Sequence, residues 1–187
     1  MQDSDSARRY PTTVAILHWA IAFALIGLVV LGWWMQAIPK DPPGPRADAY
    51  NLHKSIGLAV LLLMALRVAW RVSHRPPELP PLPVWQARAA HVVHALLYAL
   101  MFLAAFSGYL GSAVSGYPVK FFGLTLPAWA AANSELKDAC SVVHELSSWG
   151  LVVVIGIHLL ATLHHQWFLR DGLLWRMWPG GTRATAD

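Results

Sequence analysis

The chain has a single cysteine, Cys140, which excludes an intrachain disulfide, a cysteine-ligated metal cluster and a CxxCH haem attachment. Any haem would have to be held by ligation and packing alone. Charge is scarce too: Asp, Glu, Lys and Arg make up 13% of 187 residues, well below the share in soluble domains. Nothing in the charge, +4 net, favours a nucleic-acid partner. There is no repeat of solenoid type, no low-complexity tract and no composition shift that would mark a second domain, so residues 1–187 read as one domain. No GxxxG pair argues for helix dimerisation.

Apolar residues take the place of charge. They make up 56% of the chain, with ten Trp among them, and they fall in runs long enough to cross a bilayer. Four spans are expected, at about residues 14–35, 52–72, 89–114 and 141–166. The fold class is therefore all-α, an integral membrane four-helix bundle. Arg8 and Arg9 in the polar start resemble a twin-arginine export signal, but the apolar run behind them is too long for a signal-peptide core and reads as a retained first helix.

Between the spans, IPKDPPGPRADAY breaks the chain, and SHRPPELPPLPVW cannot be helical throughout because its prolines lack N–H donors. Residues 115–139 form a longer loop whose PVKFFGLTLPAW segment is expected to lie partly in the membrane interface. Residues 167–187 form a tail in which FLRDGLLWRMWPGG is a candidate surface helix anchored by Trp175 and Trp178. Four spans place both termini on one side. The tails and middle connector hold nine of the 14 Lys and Arg against five in the other two loops, so both termini are expected in the cytoplasm of a bacterial inner-membrane, multi-pass protein.

The chemistry rests on nine histidines. His144 and His158 are fourteen residues apart on span four, close to four whole turns, so both leave one helix face about 21 Å apart along the axis. Sorted by depth under this topology, the outer layer holds only His53, at the start of span two, and His144. The inner layer is crowded, with His18 on span one, His91 and His94 on span three, and His158, His164 and His165 on span four. Depth matching favours His18 with His158, while His91 or His94 stays open as an alternative. Imidazole is expensive in hydrocarbon, so interior histidines point to function, although a lone histidine on an apolar helix is more often a packing residue, as His74 in the connector is expected to be.

Two imidazoles on opposite sides of a flat macrocycle leave iron with no vacant position, a centre suited to electron transfer. Gly57, Gly150 and Gly156 lie near these histidines, where a porphyrin could approach the backbone. A non-haem metal site is disfavoured, because carboxylate-bridged metals need acidic residues inside the bundle and spans one to three, at the bounds above, contain none. Glu145 adjoins His144 but points about 100° away on the wheel.

The segments RRYPTTVAILHWAIA, YNLHKSIGL, RAAHVVHALLY, FFGLTLP, VHELSSWG and GIHLLATLHH together resemble the bacterial cytochrome b561 family, four-helix dihaem membrane cytochromes. The resemblance covers nearly the whole chain except the loop KDPPGPRAD. It implies two non-covalent haem b groups, one bound by His18 and His158 and the other by His53 and His144. One member type of that family is similar to a superoxide oxidase, which implies an enzyme passing electrons from periplasmic superoxide to ubiquinone. On that reading Lys54 and Lys120 attract the anion, though Asp41, Asp48, Glu135 and Asp138 offset any strong positive funnel. His165 and His94, with His91 and His164 behind them, are candidates for quinone protonation, and Trp19 is a candidate wall of the quinone slot. The rival reading is an electron-transfer subunit that anchors a periplasmic dehydrogenase, hydrogenase or cytochrome. Expected partners are thus membrane lipid, quinone, and superoxide or a periplasmic redox protein.

Overall fold

The computed structural model describes residues 9–42, 44–74, 77 and 82–179. Arg8, Arg75 and Arg183, counted in the charge balance, lie outside them, as do most of the proline-rich connector and the end of the tail. Four long helices dominate: α1 Thr12–Ala37, α2 Pro45–Ser73, α3 Val84–Ala113 and α4 Ser134–His164. Each is long and apolar enough to cross a membrane.

Proline sets most of the boundaries. Pro11 and Pro83 precede α1 and α3, and Pro45 stands in the first turn of α2 behind Gly44, whose φ of 136° is open to glycine. Ile38, which precedes Pro39, is extended and ends α1. Arg46 then donates from Nη1 to the Ile38 carbonyl at 2.9 Å, satisfying a main-chain acceptor where α1 stops.

Helix α4 corrects the expected loop. It starts at Ser134 because the Asn133 side chain accepts from Leu136 N–H at 2.9 Å, so residues 134–139 are helical and not part of the loop. The helices also run further into their polar flanks than the apolar spans do, since a helix need not end where the hydrocarbon does.

The bundle is built from two antiparallel hairpins, α1 with α2 and α3 with α4, joined along α2 and α3. A buried cluster of Ile21, Val60 and Met64 sits at the junction, packed by Leu25, Leu28, Ile56, Tyr98 and Phe102. The outward faces carry exposed apolar side chains such as Phe23, Val30, Leu66, Phe106 and Leu160, the expected dress of helices facing lipid.

At one end of the bundle, two short strands form an antiparallel hairpin, β1 Lys120–Phe121 and β2 Leu124–Thr125. Phe122 and Gly123 turn it with φ of 46° and 92°, the two positive values that a two-residue turn of matching twist demands. Ser55 on α2, 2% exposed, fastens it. Its hydroxyl donates to the Asn51 carbonyl at 2.7 Å, lies 3.2 Å from the Lys120 carbonyl and accepts from Phe122 N–H at 2.9 Å.

The opposite, terminal end is closed by the tail, which is not the expected surface helix. After a π-helical turn at His165–Leu169, the left-handed residues Arg170 and Gly172, with φ of 51° and 76°, break the helix. A short 3-10 turn, Leu174–Met177, follows. It folds back onto α1: Trp19 Nε1 donates to the Met177 carbonyl at 2.7 Å, Trp19 meets the Trp178 ring edge-on at 5.5 Å, and Tyr10 N–H donates to Arg176 O at 3.2 Å.

Replacing Ser55 by alanine should cost about 1–3 kcal/mol by stripping Phe122 N–H of its acceptor. The expected outcome is a lower melting midpoint in detergent and faster proteolytic cleavage within residues 118–126. A variant matching the parent on both would show that the hairpin does not depend on this hydroxyl.

Candidate functional site

Each helix hairpin delivers one histidine of the β-hairpin end. On α4, His144 Nδ1 lies 2.7 Å from the Ala104 carbonyl of α3. A carbonyl can only accept, so Nδ1 carries the proton and Nε2 keeps its lone pair. The ring lies tight against Gly108, where an added Cβ would fall 2.9 Å from Nδ1, closer than atoms can pack. On α2, His53 is seated in the same manner on α1, its Cε1 3.4 Å from the position of a Cβ on Gly32. The two rings face one another across the gap between the hairpins, with centroids 6.1 Å apart and planes at 79°.

Deeper in the bundle, three imidazoles converge. His18 on α1 and His158 on α4 have centroids 6.4 Å apart at 76°, and His94 on α3 stands 5.5 Å from His158. His91 is not among them: it is exposed and its Nδ1 is 2.7 Å from the Ala87 carbonyl of its own helix. His164 is exposed and stacks on Phe168. His165 is partly buried and hydrogen-bonded to the Asp171 carboxylate, which also accepts from Leu173 N–H at 3.1 Å. His74 stacks on Trp70 with centroids 4.1 Å apart, a packing role as expected of it.

The arrangement suits a flat macrocycle between two imidazoles. Metal–imidazole bonds of about 2 Å on opposite sides of one ion leave ring centroids about 6 Å apart, the separation found at both depths. Nδ1 of His53 is buried against Gly32 of α1 with no hydrogen-bond partner among the described residues. Conversely, among the described residues no three His, Cys, Asp or Glu side chains gather around a point that would hold a bare ion.

A profile of the family described as prokaryotic cytochrome b561 matches residues 9–180. The chain belongs to that family. It is 34% identical to cytochrome b561 homolog 2 of Escherichia coli K12 over 95% of both chains. It is 30% identical to a probable superoxide oxidase, CybB, of Yersinia pestis, over 92% of this chain and 97% of that one. A probable Ni/Fe-hydrogenase B-type cytochrome subunit of Bradyrhizobium diazoefficiens is 22% identical over 91% and 83%. The chain is thus a bacterial membrane protein of the cytochrome b561 family, working in electron transfer and carrying b-type haem.

Of the glycines expected to face a porphyrin, Gly57 and Gly156 open onto free space, whereas the Leu100 side chain fills the space at Gly150, 3.2 Å from where a Cβ would stand. The glycines on which the histidines sit are instead Gly32 and Gly108, which nothing in their local sequence distinguishes. Gly108 lies on α3, far in sequence from His144, and only the helix pairing brings them together.

Gly108→Ala should therefore displace the His144 ring, lowering the bound-haem content of the purified protein and its melting midpoint, whereas Gly27→Ala, with nothing within 4 Å, should change neither. Equal haem content in the two variants would show that the Gly108 contact does not position His144.

Proposed function

We propose that the chain is a dihaem b cytochrome that moves electrons across the inner membrane from superoxide at the β-hairpin end to ubiquinone at the terminal end, with both termini cytoplasmic. The observation that carries this reading is the pair of imidazole separations, 6.1 Å for His53 with His144 and 6.4 Å for His18 with His158, at two depths on one face of α4. His94 lies nearer to His158, at 5.5 Å, short for two imidazoles flanking one iron, so His18 is the better second ligand of the deeper haem. His53 with His144 and His18 with His158 would each hold one haem, which would supply one-electron oxidation and reduction.

The chain's own residues supply position, charge and protons. Ser55 ties the Lys120 backbone to the turn that carries Lys54, so two basic residues share the mouth where an anion would arrive. At the terminal end, the Asp171 carboxylate fixes the tautomer and direction of His165, as a proton-delivering histidine requires. His94 is the other leading candidate there, with His91 and His164 behind the two, and Trp19 packs at the same end. The overall balance is two superoxide anions, one quinone and two protons giving two dioxygen molecules and one quinol. The relative named a probable superoxide oxidase supports this donor. The hydrogenase-subunit relative supports a second reading, in which a periplasmic redox protein delivers the electrons instead and the chain is its membrane anchor.

The test is haem per polypeptide by pyridine haemochrome, followed by a superoxide pulse with added ubiquinone. The parent should hold two low-spin haem b. His144→Ala and His18→Ala should each lose one, His94→Ala should keep both, and the pulse should reduce the haem and yield quinol. One haem in the parent would overturn the two-pair reading. Two haems that superoxide leaves oxidised would transfer the case to the anchor reading.

A further inference from the structure

Arginine is an unexpected neighbour for the deeper histidines. His53 and Arg67 are fourteen residues apart on α2, the same interval that separates His144 from His158 on α4, so Arg67 occupies on α2 the register that His158 occupies on α4. Its side chain is half-buried, and its charge acts on the rings of His18, His94 and His158. Arg67 makes a neutral contact, Nε donating to the Tyr98 hydroxyl at 3.0 Å, and among the described residues it forms no ion pair. A cation so placed within a bundle is costly unless an anion joins it.

The space for that anion is present. A cavity of about 40 Å³ lies beside Arg67, lined also by Trp70, Arg71, Tyr98, Tyr10 and Met177, and Trp70 Nε1 is buried there with no hydrogen-bond partner among the described residues. A fixed guanidinium and an unsatisfied indole N–H, on two residues that line one small cavity, are the donors a carboxylate requires.

We propose that this cavity is a carboxylate site that receives a propionate of the deeper haem, with Arg67 as its anchor, Trp70 Nε1 as a second donor and Tyr98 as the residue that holds Arg67 in place. This rests on the dihaem reading above. Arg67 is a positioning residue: it fixes the macrocycle between His18 and His158 and raises the potential of that one haem, because a nearby positive charge favours the reduced form.

Redox titration of Arg67→Gln, Arg67→Lys and Trp70→Phe in zwitterionic nanodiscs, with resonance Raman of the propionate bending band, tests it. In Arg67→Gln one haem should favour its ferric form by a further tenfold, a fall of about 59 mV for a one-electron couple. Its propionate band should shift while the other haem is unchanged. Arg67→Lys should recover most of the potential, and Trp70→Phe should move the band in the same direction. Two unchanged potentials, or equal shifts at both haems, would overturn the proposal. So would a potential shift that appears only when anionic lipid is added, since the cavity would then hold a lipid phosphate. If Arg67→Gln fails to assemble, Arg67→Lys and Trp70→Phe decide, and an unmoved band in both overturns it. A parent without haem would instead sink the dihaem reading, before any variant is made.

Discussion

The hydrogen bond from His144 Nδ1 to the Ala104 carbonyl joins two helices and settles a tautomer in one contact. It draws α4 onto α3 at Gly108, and it leaves the other ring nitrogen with its lone pair. His53 is seated on Gly32 of the opposite hairpin by packing alone. The gap between the two rings is therefore set by how each helix pair closes on its own glycine, and not by any direct bond between the histidines. Close approach of helices through small residues is the usual means of packing in lipid, where water gives no hydrophobic drive to association. Here the same device also sets the width of a slot.

The two ends of that slot differ in what surrounds them. At the β-hairpin end there are two histidines, a strand pair pinned by Ser55, and the lysines at 54 and 120. At the terminal end there are three converging histidines, of which His94 is exposed, the His165–Asp171 pair and a half-buried guanidinium. That asymmetry accompanies membership of the cytochrome b561 family, whose work is electron transfer. On the function proposed above, a small anion needs only charge at the mouth, whereas a quinone needs both electrons and protons.

Much of this is legible in the sequence because periodicity and depth are one-dimensional quantities. Four apolar runs give the four helices, and the fourteen-residue interval on α4 gives two sites on one face. Depth matching gives His53 with His144, and it leaves the deeper layer crowded with histidines, three of which converge. What escapes is whatever depends on helix rotation or on short polar contacts. Gly32 and Gly108 look like any glycine in a span until the helices are paired. The strand pair at 120–125 is two residues per strand, too brief for an alternating pattern, and its one cue is the Phe-Gly turn. Hydropathy marks the start of α4 too late because it does not register the Asn133 cap, and the tail carries helix-like tryptophans but is broken at Arg170 and Gly172.

The tail stitched to α1 sets an order on assembly. Trp19 and Tyr10 belong to the first helix and its approach, yet their partners, Met177, Trp178 and Arg176, follow the last helix in the chain. A ribosome delivers the first of these long before the second. The contacts that close the terminal end of the bundle therefore form only after synthesis has passed the fourth helix, so the first helix waits for the last segment of the bundle before its own end is capped.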